Sequence, residues 1–347
     1  MKILLIRLDH LGDLVLTTPL IRALAQAGHS VEVVTLRWLR VVLEGNPHIS
    51  EAFALEDIAP AFPADWRLLR NWMKARAYDC ILLPNSKPRE LLWCSWGSGV
   101  RSRLALQGGI LGRLSGHQCI RIGQSFMQGR HYSDIQLDLA RALDIPCDGL
   151  KLDYFCRDDE INQAKKKIVE MFPGFDGEPI IGIHPGCQGN TCNLPSSVYG
   201  QLASLILART NCRIIVTGSA KEKGLLDSWP KETVSSPRVY TSMGVFDLRS
   251  LAAIISQMSN YVIGSTGPLH LASALGIRTT SPFCSLPPIT SSVWGNITGT
   301  GACIQPNPAG CHKWIAQAKP HQHCDFRGEI KVETLWNCLR EEKSVQL

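Results

Sequence analysis

The chain has 347 residues, 45% hydrophobic and 19% charged, with thirteen cysteines and a formal net charge of +6. That length suits two ordinary domains, each able to bury its own core, and the composition is that of a soluble globular protein. No apolar segment approaches a membrane span, and Arg7 and Asp9 interrupt the first apolar run too early for a signal peptide.

Taken in order, Lys2 to Arg7 reads as a short buried strand, followed by the loop Leu8 to Asp13. A helix from about Leu14 to Ala27 follows, with Gly28 as its stop. Val31 to Thr35 is a second strand and Trp38 to Leu43 a short helix. Asp65 to Ala77 reads as an amphipathic helix, Asp79 to Leu83 as a strand and Glu90 to Trp96 as a helix. Trp93 and Trp96 stand at helical spacing there, so both are expected to pack inward. The segment Tyr132 to Leu143 reads as a helix, and Asp144 to Asp153 has linker character, with Pro146 and Gly149.

A second series begins near Asp159 with the Lys-rich helix Glu160 to Met171. The strand Pro179 to His184, the loop Pro185 to Pro195 and the helix Ser196 to Arg209 follow. Then come the strand Arg213 to Thr217, a helix from Lys221, the helix Phe246 to Met258, and strands at Tyr261 to Ile263 and Thr279 to Phe283. Apolar strands alternating with amphipathic helices imply an α/β protein with parallel sheets covered on both faces. The expected organisation is two doubly wound domains, residues 1–150 and 151–347. Ligands sit beyond the carboxyl ends of such strands, here the loops at 8–13, 184–195, 218–222 and 264–270, and two such domains facing each other would make a cleft.

Among these loops, Gly264 to Gly267 turns the chain out of a strand, and Pro268 stands where the first helical residue should be. A strand running through a Ser/Thr/Gly turn into a helix presents unpaired backbone N–H groups to an anion, and phosphate is a natural guest. His270 lies in the first helical turn, close enough to donate to the same anion. An ordinary strand–helix junction capped by Ser265 or Thr266 accounts for the pattern equally well. The loop from His184, with Gly186 and Gly189, can also offer N–H groups to phosphates, although it matches neither the P-loop nor the dinucleotide glycine spacing. Asp13 ends the first loop, where a carboxylate could take a proton from a hydroxyl nucleophile or cap the following helix.

Between Pro84 and Arg130 stand seven basic residues (Lys87, Arg89, Arg101, Arg103, Arg113, Arg121, Arg130) against one acid, Glu90, a net +6. That imbalance suggests an anionic partner, against the plainer reading of a solvated face. No aromatic–basic interleaving accompanies it, so a nucleic acid is not expected. The cysteines are scattered through predicted strands and helices, which fits reduced thiols in the cytoplasm. Cys303, Cys311, His312, His321, His323 and Cys324 cluster near the C-terminus, a set that could bind zinc or iron. Their spacings match no standard zinc finger, so no bound metal is expected.

In combination, the stretches Ile3 to Pro19, Ile181 to Gly186 and Ser265 to His270 resemble the opening, central and C-terminal signatures of the heptosyltransferases, glycosyltransferase family nine. Val216 to Glu222 and Leu248 to Leu251 are in the same register, and the resemblance covers nearly the whole chain. It implies a GT-B fold, two Rossmann-like domains across a cleft, with the acceptor in the N-terminal half and the nucleotide sugar in the C-terminal half. It also implies an inverting transfer of heptose from ADP-heptose to the lipopolysaccharide core, with no cofactor or metal, by a cytoplasmic enzyme peripherally associated with the inner membrane. Asp13 would be the general base. His184, Gly186, Gly189, Glu222, Ser265, Thr266, Gly267 and His270 would hold the donor, with Glu222 near its ribose. Lys87, Arg89 and Arg121 would meet an anionic glycolipid acceptor.

The sequence departs from the family at Cys192, where a Lys or Arg is usual, at Leu194, where Trp is usual, and at Ser265, often an acid. A neutral thiol cannot replace a cation on a diphosphate. Lys221 or Lys223 would have to substitute, or the donor differs, or turnover is impaired. The alternatives are therefore another GT-B nucleotide-sugar enzyme and a non-catalytic glycan-binding relative.

Overall fold

The structure is a computed structural model that describes residues 1–85, 87–189, 191–298, 301–307 and 326–340. The chain divides into two compact units, Met1–Phe155 and Cys156–Leu347. Cys311, His312, His321, His323 and Cys324 lie outside the described residues, while Cys303 stands exposed on a strand.

In the first unit the strands are β1 (Lys2–Ile6), β2 (Ser30–Thr35), β3 (Glu51–Ala54), β4 (Cys80–Leu83), β5 (Ser102–Leu106) and β6 (Gln118–Ile120). They form one parallel sheet in the order β3-β2-β1-β4-β5-β6. In the second unit β7 (Ile180–His184), β8 (Arg213–Val216), β9 (Val239–Thr241), β10 (Asn260–Ile263), β11 (Thr279–Pro282) and β12 (Gly301–Ile304) form another, ordered β12-β11-β10-β7-β8-β9. Read from β9, the second order repeats the first. Both are the doubly wound arrangement, whose direction reverses once: between β1 and β4, and between β7 and β10. Ligands bind outside the carboxyl ends of the strands at such a reversal.

Strands buried on both faces read as continuous apolar runs, which is why Ile3, Leu4, Leu5 and Ile6 are all inaccessible. The crossovers β3→β4, β4→β5 and β5→β6 all step the same way across the sheet. Right-handed connections then place their helices on one face. There Leu69, Met73, Leu91, Leu92 and Cys94 pack on Leu4, Ile6, Ile81 and Leu83.

Several expected elements change form. The helix expected over Leu14 to Ala27 is two, Leu11–Val15 and Thr18–Gln26, because Pro19 opens the second and has no N–H to continue the first. The segment expected as a helix from Lys221 is a 3-10 helix, Ala220–Ser228. The basic stretch contributes two strands, β5 and β6, and spends part of its charge internally. Arg130 pairs with Asp134 and Asp138, and Arg103 donates to the carbonyls of Val100 and Gly116. Trp93 and Trp96 do not pack inward; they are 40% and 56% exposed, because Leu91, Leu92 and Cys94 already fill the inner side of their helix.

Candidate functional site

In the first unit the site is built on the end of β1. Arg7 follows the last strand residue, and its backbone N–H continues the ladder to Val34, so its side chain is fixed where the sheet stops. That side chain is 0% exposed. Its Nη2 lies 2.9 Å from Oδ1 of Asp13, 3.4 Å from Oδ2 of Asp9 and 3.0 Å from the hydroxyl of Tyr132. The guanidinium also lies over the Tyr132 ring, 5.5 Å from its centre. Burial opposes the charge on Arg7, but the Tyr132 hydroxyl, Asp13 and Asp9 together outweigh it and hold the group firmly protonated.

Asp13 is neither in a loop nor at the N-cap. It is the third residue of the helix Leu11–Val15, and its Oδ2 accepts from the backbone N–H of His10 at 3.4 Å. Thr17 donates to the main-chain carbonyl of Asp13 at 2.7 Å. Burial pushes the Asp13 carboxyl above its ordinary value, and the charge of Arg7 restrains that rise. The loop after β4 joins this group, since the Asn85 amide donates to Oδ2 of Asp9 at 2.5 Å. Lys87, Arg89 and Arg121 stand exposed beyond the carboxyl ends of β4 and β6.

In the second unit three loops leave neighbouring strands side by side, because Ile263 pairs with His184 and Ile183 with Val216. Asn193 stitches two of them. Its amide donates to the carbonyl of Pro185 at 2.7 Å, its Oδ1 accepts from the Tyr199 hydroxyl at 2.7 Å, and a Cβ added at Gly264 would come within 2.8 Å of that Oδ1. Glu222 comes from the 3-10 helix Ala220–Ser228 that follows β8. Its Oε2 accepts from the backbone N–H and hydroxyl of Ser219, both at 2.8 Å. Its Oε1 lies against Gly186, where a Cβ would approach to 2.0 Å. The glycine is thus required for that carboxylate to sit against the loop.

Oε1 of Glu222 and the hydroxyl of Thr266 are buried here with no hydrogen-bond partner among the described residues. Thr266 is the N-cap of the helix Gly267–Ala274, yet its side chain does not cap that helix. A buried acceptor without a donor and a helix end without its cap both cost stability unless a ligand completes them. Ser265 and Gly267 flank Thr266 and are half-buried, and His270 is buried one turn further on. The left-handed backbone of Gly189, at φ +72°, turns the loop after β7.

His184 is buried, with Nδ1 2.9 Å from the Thr217 hydroxyl, which is in turn 2.6 Å from the Tyr261 hydroxyl. Burial pulls its imidazole down to about 4, against the pull of Glu222, so at neutral pH it offers no positive charge. Cys192 and Leu194, where the family resemblance leads one to expect a cation and a Trp, are 2% and 4% exposed and belong to the core with Ile183, Tyr199 and Val262. Lys221 and Lys223 are exposed.

Asp13, Glu222 and the loop at 264–270, singled out in the sequence, stand at these strand ends. Arg7, Asp9, Asn85, Asn193, Thr217 and Tyr261, which the sequence does not single out, stand beside them. Arg7 carried a signal, a charged residue ending an apolar strand; the others acquire meaning only when the sheet order brings their loops together.

Residues 133–306 match the profile of glycosyltransferase family 9 (heptosyltransferase). Lipooligosaccharide heptosyltransferase 2 of Haemophilus ducreyi is 24% identical over 295 residues, covering 79% of this chain and 80% of that protein. Among solved structures, the family 9 glycosyl transferase of Veillonella parvula superposes with a TM-score of 0.80 at 18% identity, covering 98% of this chain and 96% of that one. The E. coli ADP-heptose lps heptosyltransferase II superposes with a TM-score of 0.75 at 17% identity, covering 98% of each chain.

Proposed function

Because the chain belongs to glycosyltransferase family 9, the heptosyltransferases, and has their two-domain GT-B fold, we propose that it moves a heptose from ADP-heptose to a hydroxyl of a lipooligosaccharide core. The observation that carries this reading is Asp13, a carboxyl raised by burial and held by the inaccessible Arg7 at the carboxyl end of β1. A general base works best when its pKa approaches the working pH, and burial moves Asp13 that way.

In the proposed step Asp13 takes the proton of the acceptor hydroxyl as its oxygen bonds to the anomeric carbon of the sugar. The bond from that carbon to the diphosphate breaks, the electron pair leaves with ADP, and the configuration inverts. Thr266 and the helix N-terminus at Gly267 receive the diphosphate charge, and Glu222 accepts from a ribose hydroxyl. These roles are supported by the two unpartnered atoms, since a ribose hydroxyl would complete Oε1 of Glu222 and a phosphate oxygen would complete Thr266. Lys87, Arg89 and Arg121 meet the anionic acceptor, and the enzyme works at the cytoplasmic face of the inner membrane without a metal.

A second reading, a different nucleotide sugar as donor, is favoured by Cys192, whose burial leaves position 192 without a cation for the diphosphate. The test is acceptor-dependent release of nucleotide from ADP-, UDP- and GDP-linked sugars, with the anomer of the product read by NMR. Release of ADP with inversion is expected. Consumption of UDP or GDP sugars alone would change the donor, and no consumption alongside glycan binding would leave a non-catalytic relative.

A further inference from the structure

The helices Glu90–Gly97 and Gly109–Leu114 carry four large apolar side chains that the core does not use. Trp93 is 40% exposed, Trp96 56%, Ile110 77% and Leu114 73%. The two indoles meet edge to face at 6.3 Å. Ile110 and Leu114 are one turn apart on the same side of their helix. The two helices are neighbours: a Cβ at Gly112 would lie 3.8 Å from Cδ2 of Leu92, and one at Gly116 would lie 4.0 Å from Cδ1 of Trp96. The Ser95 hydroxyl and Nε2 of His117, 2.5 Å apart, pin the first helix to the chain leaving the second.

Cations frame this apolar surface. Arg113 projects between Ile110 and Leu114 in sequence, Arg101 follows the first helix, and both are exposed. Glu90 is the single acid from residue 84 to 130. A face of tryptophan and aliphatic groups fringed by arginine matches a bilayer in layers. The aliphatic groups enter the acyl region, the indoles sit at headgroup depth, and the guanidinium groups meet lipid phosphates. No helix among the described residues is long and apolar enough to cross a membrane, so the contact is one of surface seating.

We propose that this two-helix face is the membrane-docking surface of the protein and that it seats on a bilayer carrying anionic phospholipids. Its placement suits the proposed reaction. The helix Glu90–Gly97 starts a few residues after Asn85, which touches Asp9 beside Asp13, with Lys87 and Arg89 in between. A lipid-anchored acceptor leaving the bilayer would pass those cations toward Asp13. That last point rests on the glycosyltransferase reading; the docking surface does not.

The experiment is co-sedimentation of the full chain, without donor or acceptor, with phosphatidylcholine vesicles that contain about one third phosphatidylglycerol or none. Binding to the anionic vesicles is expected, falling with added salt, and about tenfold weaker on the neutral ones. The triple variant Trp96→Ser, Ile110→Ser, Leu114→Ser should keep its melting temperature and lose about tenfold or more in partitioning. Arg113→Gln should weaken binding about fivefold and flatten the salt dependence. Binding that survives the triple variant, or a wild-type chain that sediments with neither vesicle, would overturn the proposal, the second result leaving the face to a protein partner. Since no sugar is present, a failed transfer assay would leave the result standing.

Discussion

Oδ1 of Asp13 lies 2.9 Å from Nη2 of Arg7, a side chain with no exposure at all. The pair sets two opposing influences on one carboxyl. Burial raises its pKa and the guanidinium lowers it, with burial the larger. Two further nitrogens of Arg7, Nε and Nη1, have no partner among the described residues. The buried cation is therefore only partly satisfied by its neighbours, and its role is more readily understood as holding Asp13 than as stabilising the fold.

Replacing Arg7 by Met keeps the volume and removes the charge that restrains Asp13. The carboxyl pKa then rises further, so the acid limb of the kcat profile should move to higher pH, and the rate near neutrality should fall. A pH–rate series checks this. A merely structural Arg7 would lower the melting temperature and leave the position of the limb unchanged.

The Thr266 hydroxyl is buried and caps nothing. Thr266→Val should accordingly leave the melting temperature unchanged or slightly raised, since it removes an unsatisfied group. It should weaken nucleotide binding by about tenfold, the worth of one hydrogen bond to a charged ligand. Calorimetric titration with ADP, beside a melting curve, separates the two effects.

Acid stability follows from two buried histidines. His184 is pulled down to about 4 by burial, and His117 to about 4 by burial and then by Arg103. Each is neutral in the folded state over a range where the unfolded chain is protonated, so unfolding takes up protons there. Their contribution is fully present above about pH 6.5 and is lost as pH falls toward 4. Urea titrations at pH 7, 5.5 and 4 should show this loss, and it should be smaller in His117→Gln. A flat stability across that window would contradict the assignment.

The sequence made the architecture legible because period and punctuation agree with tertiary packing. The helix Ser196–Arg209 has the bounds read from its sequence, starting directly after Pro195, and β1 and β10 are largely apolar runs that both sheet faces bury. It could not reveal β5, whose apolar run Arg103 interrupts, or β6, which is only three residues long and begins with Gln118, nor the exposure of Trp93 and Trp96. A helix with apolar residues on most sides leaves undecided which side meets the sheet, and Leu91, Leu92 and Cys94 take that place. Among the candidate site residues, Asp13 and Thr266 stand out in the sequence through the turn residues beside them. Arg7, Asn85 and Tyr261 do not, because their meaning depends on which strands lie next to one another. Cys192 was legible as a departure, but its burial in the core is a matter of packing that spacing does not encode.

The most direct test of the account is the turnover of Asp13→Asn with ADP-heptose and a lipooligosaccharide acceptor at saturating donor. Asparagine preserves the size of the side chain and an oxygen for the His10 N–H but cannot take up a proton. The account predicts a melting temperature and an ADP affinity close to wild type, with kcat lower by about 10²–10⁴. A variant that still turns over within a few-fold of wild type would contradict Asp13 as the base.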